Sequence, residues 1–315
     1  MAAYDRYTAI GAREDLTDVI YDISPTDTPI MSSIGKTKAT SVTHEWQTDS
    51  LAAATTANAL VEGASATEGT ISPTTRLANL TQIVGKTVMV SGTLLASDLA
   101  GRKSEMAYQL AKASAEIKRD IETIITANQG QAAGSSGSSA RKMGSLLSYI
   151  KSNTSVNGTS VTGVDPTTLG VSTRTDGTTR TFTETLLKTV VAEVFASGGT
   201  PSALFVSPAQ KQVVSGFTGL AAQRYQVPTS GQATILAGAD LYQSDFGVLQ
   251  IVPNRFMRTR DALILDPEYA ALAYLRPFQT NDIAKVGDSD KKQILAELTL
   301  EVRNEAAHGG VFDLS

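Results

Sequence analysis

Residues 104–128 read SEMAYQLAKASAEIKRDIETIITAN, and the fold class turns on how that stretch is read. Met106, Leu110, Ile117, Ile121, Ile124 and Ile125 recur at helical spacing and fall on one stripe. Ser104 stands where an N-cap belongs, and Lys112 with Glu116, then Lys118 with Glu122, stand four apart on the side read as polar. The pattern predicts one long amphipathic helix facing a core. Its stripe covers too few heptads for a coiled coil.

The C-terminal third supplies a surface for that helix. Residues 248–252, 262–265, 270–275 and 294–303 read as strands. In the last, Ile294, Ala296, Leu298, Leu300 and Val302 point one way and Glu297, Thr299, Glu301 and Arg303 the other, which predicts a sheet covered on one face. Just before these strands, Thr181 and Glu184 have capping-box spacing. Leu186, Leu187, Val190, Val191, Val194 and Phe195 form one apolar face, and Gly198 with Gly199 ends the helix. A strand over 203–206 follows, then a helix capped by Ser207 with Pro208 in its first turn. That helix-strand-helix unit suggests an α/β domain, and with the strand-rich C-terminal third the whole chain reads as α+β, its long helix a candidate cover for the sheet.

Working toward the N-terminus, residues 13–23 read as a short amphipathic helix with Leu16, Val19, Ile20 and Ile23 on one side and Glu14 and Asp15 in its first turn. Pro25 and Pro29 push the residues before them toward extended backbone, so 26–34 is expected to run as an arm, the alternative being a packed terminal linker. Val42 and Trp46 belong to one strand, and 76–90 reads as a returning strand with Val84, Val88 and Val90 on one face, together a long hairpin. Between them 51–75 is almost all Ala, Thr, Ser and Gly, a loop of a length that compact domains seldom carry without a function; the alternative is a floppy insertion. After the long helix, the Gly/Ser run 129–139 is expected to be a flexible connection, and 143–150 a short apolar piece. The polar stretch with turn signals at Asn157-Gly158 and Asp176-Gly177 reads as an exposed excursion.

Composition narrows the function classes. The chain has 315 residues, 41% of them hydrophobic and 18% charged, below the roughly 25% usual in soluble domains. There is no cysteine, which excludes disulfides, thiol catalysis and thiolate metal sites. The start MAAYDR lacks a signal-peptide pattern, and no run approaches the roughly 18 apolar residues of a membrane span, so a soluble protein without a membrane is expected. A net charge of -4, with Lys and Arg scattered, argues against a dedicated nucleic-acid binder.

No catalytic, cofactor-binding or metal-ligating residue is assigned. Gly35-Lys36-Thr37 and Gly85-Lys86-Thr87 look like ends of phosphate loops, but Ile30 and Leu80 stand where the first glycine is required. Asp288 and Asp290 begin like a calcium loop, but Lys292 and Thr299 occupy ligand positions. The two histidines, His44 and His308, are expected to be polar surface residues; they offer a metal site at most two imidazoles, and a triad could use only these two bases, with no G-x-S-x-G elbow to present a nucleophile. The sequons at Asn79, Asn153 and Asn157 mean little without secretion.

Several of these segments carry a resemblance in order and spacing. They are 14–36 (EDLTDVIYDISPTDTPIMSSIGK), 91–122 with its EMAYQLAKASAEIKRDIE helix, 207–217 (SPAQKQVVSGF), 251–257 (IVPNRFM) and the C-terminal run LILDPEYAALAYLRPFQTNDIAKVGDSDKKQILAELTLEVRNEAAHGGVFDL. The chain resembles the major capsid proteins of tailed bacteriophages of the Hong Kong 97 type over nearly its whole length. That resemblance implies an N-terminal arm (1–39) and an extended E-loop hairpin (40–93). It further implies a peripheral domain with a spine helix and a polar insertion (94–182), an axial domain (183–260), and C-terminal strands completing both sheets (261–315). It implies a non-enzymatic subunit that assembles with itself, as hexamers and pentamers, into an icosahedral or prolate head made in the bacterial cytoplasm. The partners it implies are a separate scaffolding protein, a portal, decoration proteins and packaged double-stranded DNA held without sequence specificity; no cofactor is implied. An encapsulin-like nanocompartment shell of the same fold, told apart by neighbouring genes, is the second reading, and an enzyme the third.

Overall fold

The computed structural model describes residues 24–63, 73–97, 103–158, 173–217 and 239–315, with residues 65, 69, 71 and 99 between. The helix expected over 13–23 and most of the polar excursion lie outside the described residues. The first element is a short helix, α1 (Pro29–Ser33), followed by β1 (Gly35–Lys38), β2 (Thr43–Thr48), β3 (Thr75–Leu80), β4 (Gln82–Ser91) and α2 (Gly92–Ala96). The long helix α3 is Glu105–Thr126; the Ser104 hydroxyl accepts from the Ala107 N–H at 3.4 Å, as its sequence position predicts. Then come α4 (Leu146–Tyr149), β5 (Thr154–Ser155), α5 (Glu184–Ala196), β6 (Ala203–Val206), α6 (Pro208–Ser215), β7 (Leu241–Ser244), β8 (Gly247–Pro253), β9 (Asp261–Leu265), β10 (Ala270–Ile283), β11 (Ser289–Val302) and β12 (Gly309–Phe312).

These strands make two sheets and a hairpin: a four-stranded sheet in the order β1-β10-β11-β4, a six-stranded one in the order β5-β12-β9-β6-β8-β7, and the β2-β3 pair. The long helix lies on the four-stranded sheet, with Ile117, Ile121 and Ile125 buried against Ile294, Ala296, Leu298 and Leu300. In the six-stranded sheet β6 (ALFV) and β9 (DALIL) are apolar almost throughout because both their faces are covered. Ala203, Phe205, Leu263 and Leu265 face the core under α3. Leu204, Val206, Ala262 and Ile264 face a second core under α5 and α6.

Where α1 meets α3 the sequence misleads twice. Residues 26–34 are not extended throughout, because Pro29 sits in the first turn of α1, where a missing N–H costs nothing. Glu122 is not on a polar side. It is fully buried, and its carboxylate accepts from Ile30 N (2.8 Å), Met31 N (2.9 Å) and Asn254 Nδ2 (2.6 Å). A five-residue helix cannot nucleate alone. The carboxylate satisfies two of its orphan N–H groups and complements its dipole.

The expected returning strand is two strands. β3 pairs with β2 from Thr43↔Leu80 to Thr48↔Thr75, whereas β4 leaves the hairpin and pairs with β11 over its whole length. The break at Thr81 is held from both sides: Arg141 donates to the Thr81 carbonyl, and Thr81 Oγ1 donates to Glu297. Asn79 spends its whole side chain there, accepting from Gly144 N and donating to Gly144 O and Leu300 O. The Gly/Ser run after α3 is a small hairpin bridged at Ala132↔Lys142 and Ser135↔Ser139. Helix α5 begins after Thr183, whose side chain makes no cap bond, so Thr181 and Glu184 form no capping box.

Two further expectations fail for one reason, burial. The polar face of β11 is covered where the hairpin crosses it, so Glu297, Thr299 and Glu301 are buried beside Ala271 and Ala273. His308 is fully buried too: its Nδ1 accepts from Asp266 N at 3.3 Å, and desolvation pushes it down to about 4. Its folded value lies below its unfolded one, so its contribution is complete above about pH 6.5 and is lost as pH falls toward 4. Acid titration of unfolding free energy is expected to show a loss of up to about 3 kcal/mol over that window that His308→Asn removes. Glu122→Ala, which strands three buried donors, is expected to cost about 3 kcal/mol in urea unfolding of dispersed subunits.

Candidate assembly surfaces

Beyond Thr48 and Thr75 the hairpin strands give way to a loop in which the described residues form no strand or helix. Its few large apolar side chains, Leu51, Leu60, Val61 and Ile71, are 79% to 99% exposed. An isolated subunit gains nothing from exposing them in one place. A second apolar strip lies on β4, where Ile83 and Met89 stand on the side away from α3. β4 is also the outer strand of its sheet, so one row of its peptide groups faces away from β11.

The hairpin is rooted by charge. His44 Nε2 lies 3.0 Å from Glu301 Oε2, which also accepts from Thr37 Oγ1, while Arg303 donates to Oε1. Burial pushes the Glu301 carboxyl up, but the hydrogen bonds from His44, Arg303 and Thr37 outweigh it and hold it below the usual range. Glu297 on the same face is gripped by Arg141 and Arg276. Three strands and a loop thus meet on two carboxylates. The single tryptophan of the chain, Trp46, sits above them, 5.9 Å from the His44 ring and 6.0 Å from Tyr149.

A second ionic cluster pins the C-terminal end. The buried Arg174 guanidinium reaches Asp176 (2.6 Å), Asp313 (3.2 Å) and Asp261 (3.5 Å) and stacks 4.3 Å from the Phe312 ring. Arg258 and Arg260 close the same ring of charges. Burial pushes Asp261 up to about 6, against the pull of Arg258 and Arg174. Asp313 is held at φ 61°, a left-handed conformation unusual for a non-glycine, while its carboxylate accepts from Gly177 N and Asn157 N. The turn signals at Asn157 and Asp176 therefore mark the rim of a clamp.

The motifs weighed for chemistry fall on structural positions. Both Gly-Lys-Thr triplets lie within strands, β1 and β4, where Lys86 pairs with Glu116 of α3. Asp290 pairs with Lys285 beside the turn between β10 and β11. The described residues contain no cluster of three or more His, Asp or Glu able to hold a metal. No helix among them is long and apolar enough to cross a membrane. Of the potential sequons, Asn79 and Asn153 are buried and hydrogen-bonded. The residues that organise these surfaces, Glu122, Glu297, Glu301 and Arg174, carry no local spacing that singles them out.

These surfaces sit on a two-sheet body from which a rooted hairpin protrudes. A family model described as SU10 major capsid protein matches residues 3–315. The chain belongs to that family, which makes it a viral capsid protein. The major capsid protein of Escherichia phage Phieco32 is 40% identical over 125 residues, covering 40% of this chain and 36% of that protein. This chain therefore spans about a third of that curated relative's length. Among solved structures, a Cyanophage A-1(L) capsid asymmetric unit matches with a TM-score of 0.68 at 12% identity over 98% of each chain. Microbacterium phage Oxtober96 gives 0.62 at 13% over 99% of each, and Mycobacterium phage Bobi 0.60 at 11% over 99% of each. At such identities the likeness shows fold alone, and the fold is the Hong Kong 97 type that the sequence led us to expect.

Glu301→Gln is expected to loosen the hairpin root while leaving the body folded. Trp46 emission should shift to the red and become more open to acrylamide, with global stability falling by no more than about 1 kcal/mol. An unchanged Trp46 signal would mean that the carboxylate does not root the hairpin.

Proposed function

We propose that this chain is the repeating subunit of a bacteriophage head, assembling with itself around packaged double-stranded DNA. The observation that carries the proposal is the exposed hairpin loop, whose apolar side chains have no partner on their own body.

In this reading residues 1–39 are the arm, 40–93 the E-loop, 94–182 the peripheral domain, 183–260 the axial domain and 261–315 the strands closing both sheets. The E-loop shares Gln82–Ser91 with the peripheral sheet, so a pull on the hairpin is felt along β11. Hexamers and pentamers form about the axial domains, while arm and E-loop lie across neighbouring subunits. Assembly is noncovalent and takes place in the host cytoplasm with a separate scaffolding protein. Portal and decoration proteins join the shell, and contact with DNA is nonspecific, as a net charge of -4 permits. The subunit has no catalytic role and no cofactor. A nanocompartment reading has no observation in its favour beyond the shared fold.

Electron microscopy of the purified protein, alone and with its scaffolding partner, is expected to show closed icosahedral or prolate shells; stable monomers under every condition overturn the reading. Leu60→Asp with Val61→Asp is expected to leave the melting temperature of the dispersed subunit unchanged and to abolish shells. Denaturing gels of assembled shells should show single chains, and a ladder of covalent multimers would refute noncovalent assembly.

A further inference from the structure

Sheets protect their outer strands with proline, a bulge, an edge charge or short length, because a row of unpaired N–H and C=O groups invites another chain. β4 has none of these. It is ten residues long, contains no proline, and keeps an unbroken register with β11 from Ser91↔Ser289 to Gln82↔Leu298. Its one charged residue, Lys86, points to the covered face, where it pairs with Glu116. Among the described residues no strand but β11 pairs with it. On the open face Ile83 and Met89 are 51% and 64% exposed, with Gly85 between them. A hollow of about 370 Å³ lined by Ile83, Gly134, Ser135, Ser139 and Arg141 opens beside Ile83.

We propose that this edge receives the hairpin loop of a second copy of the chain, residues 50–63 adding to β4 as an outer strand. This rests on the assembly reading above, for which it names the receiving surface. Among the described residues no backbone hydrogen bond ties 51–61 to its own subunit, and 50–63 contains no proline, so each peptide group is able to join a ladder. Reach is sufficient. Extended, 51–61 covers about 36 Å, against about 20 Å from Ile83 to Met89.

Charge selects this loop as the occupant. From Asp49 to Thr75 the sequence carries Asp49, Glu62 and Glu68 and no Lys or Arg. On the open face Arg141 and Arg276 share Glu297, the partner of Ile83, which leaves one positive charge at that end; Lys291, the partner of Met89, puts a second at the other. Of the adjacent Leu60 and Val61, strand alternation turns one side chain onto the open face, where Ile83, Met89 and the hollow lie. The loop leaves its own hairpin beyond Thr48↔Thr75, the end away from Leu80 and from its own β4, so the β4 it meets is a neighbour's.

Full-length Met89→p-benzoylphenylalanine, or Ile83→p-benzoylphenylalanine, is co-assembled as a minor fraction with heavy-isotope-labelled wild-type chains, and the shells are irradiated. The cross-link is expected on the heavy tryptic peptide 39–76, which no Lys or Arg interrupts, with attachment between 50 and 63. Attachment to the light peptide of the same chain would overturn the second copy, and attachment to any other segment would overturn the occupant. Shells that form without a cross-link would overturn the proposal and leave the assembly reading standing, whereas wild-type protein that forms no shells would overturn both. Independently, Ile83→Lys with Met89→Lys supplies the edge protection that β4 lacks. It is expected to leave the melting temperature of the dispersed subunit unchanged and to lower shell yield by about tenfold or more. Shells at wild-type yield would overturn the proposal; should this variant unfold, the cross-linked peptide decides.

Discussion

One buried carboxylate fixes how this subunit is put together. Among the described residues no cation pairs with Glu122; three neutral donors from two other parts of the chain hold it instead. Taking a carboxylate out of water costs several kcal/mol, and desolvation raises its pKa despite those three bonds. The cost is tolerated because the alternative is worse. Without Glu122, the first turn of α1, the Asn254 amide and the middle of the core would all be left with unsatisfied groups. By accepting from α1 and from the segment after β8, a residue of the long helix sets the position of the N-terminal chain and of the six-stranded sheet at once. Thr126, one turn further on, donates to the Phe256 carbonyl and repeats the tie.

The same economy governs the underside of the four-stranded sheet. A hairpin that must reach away from the body needs a root that resists leverage, and apolar packing alone would let it slide by a register step. Glu297 and Glu301 prevent that, since each carboxylate is matched to donors from particular positions on β1, β2, the residue after β3 and the loop before α4. Partly buried ion pairs add little net stability, but they fix geometry strictly. In this body they decide where the hairpin points.

How much of this could be read from the chain depends on the range over which each signal acts. The long helix, the helix after Pro208 and the alternation of β11 are local patterns, and the structure places them where the spacing does. Glu122 reads as a surface partner of Lys118 because helical spacing reports neighbours on one helix and nothing about a second element laid over it. Glu297 and Glu301 read as solvated for the same reason: alternation tells which residues share a face, not whether that face is covered. The split of 76–90 into two strands was illegible too, since Thr81 is a good strand residue and its break comes from Arg141, sixty positions away. The clamp around Arg174 brings together residues 139 positions apart. No local pattern marks such a pair.

In the assembly proposed for this subunit, the sparse surface has a physical reason. A heterologous contact repeated around a ring is multiplied by the symmetry of the ring, so each copy of it must be weak if misplaced subunits are to leave again. Four large apolar side chains spread along a loop of Ala, Thr, Ser and Gly fit that requirement. Each could yield about 1.5–3 kcal/mol on burial, and ordering the loop consumes much of the total. A loop packed with Leu and Phe would bind harder in isolation and trap errors. The strong interactions are therefore kept within the subunit, where the charges at the hairpin root, the Glu122 cap and the Arg174 clamp set its shape. The weak ones are left for the shell to sum.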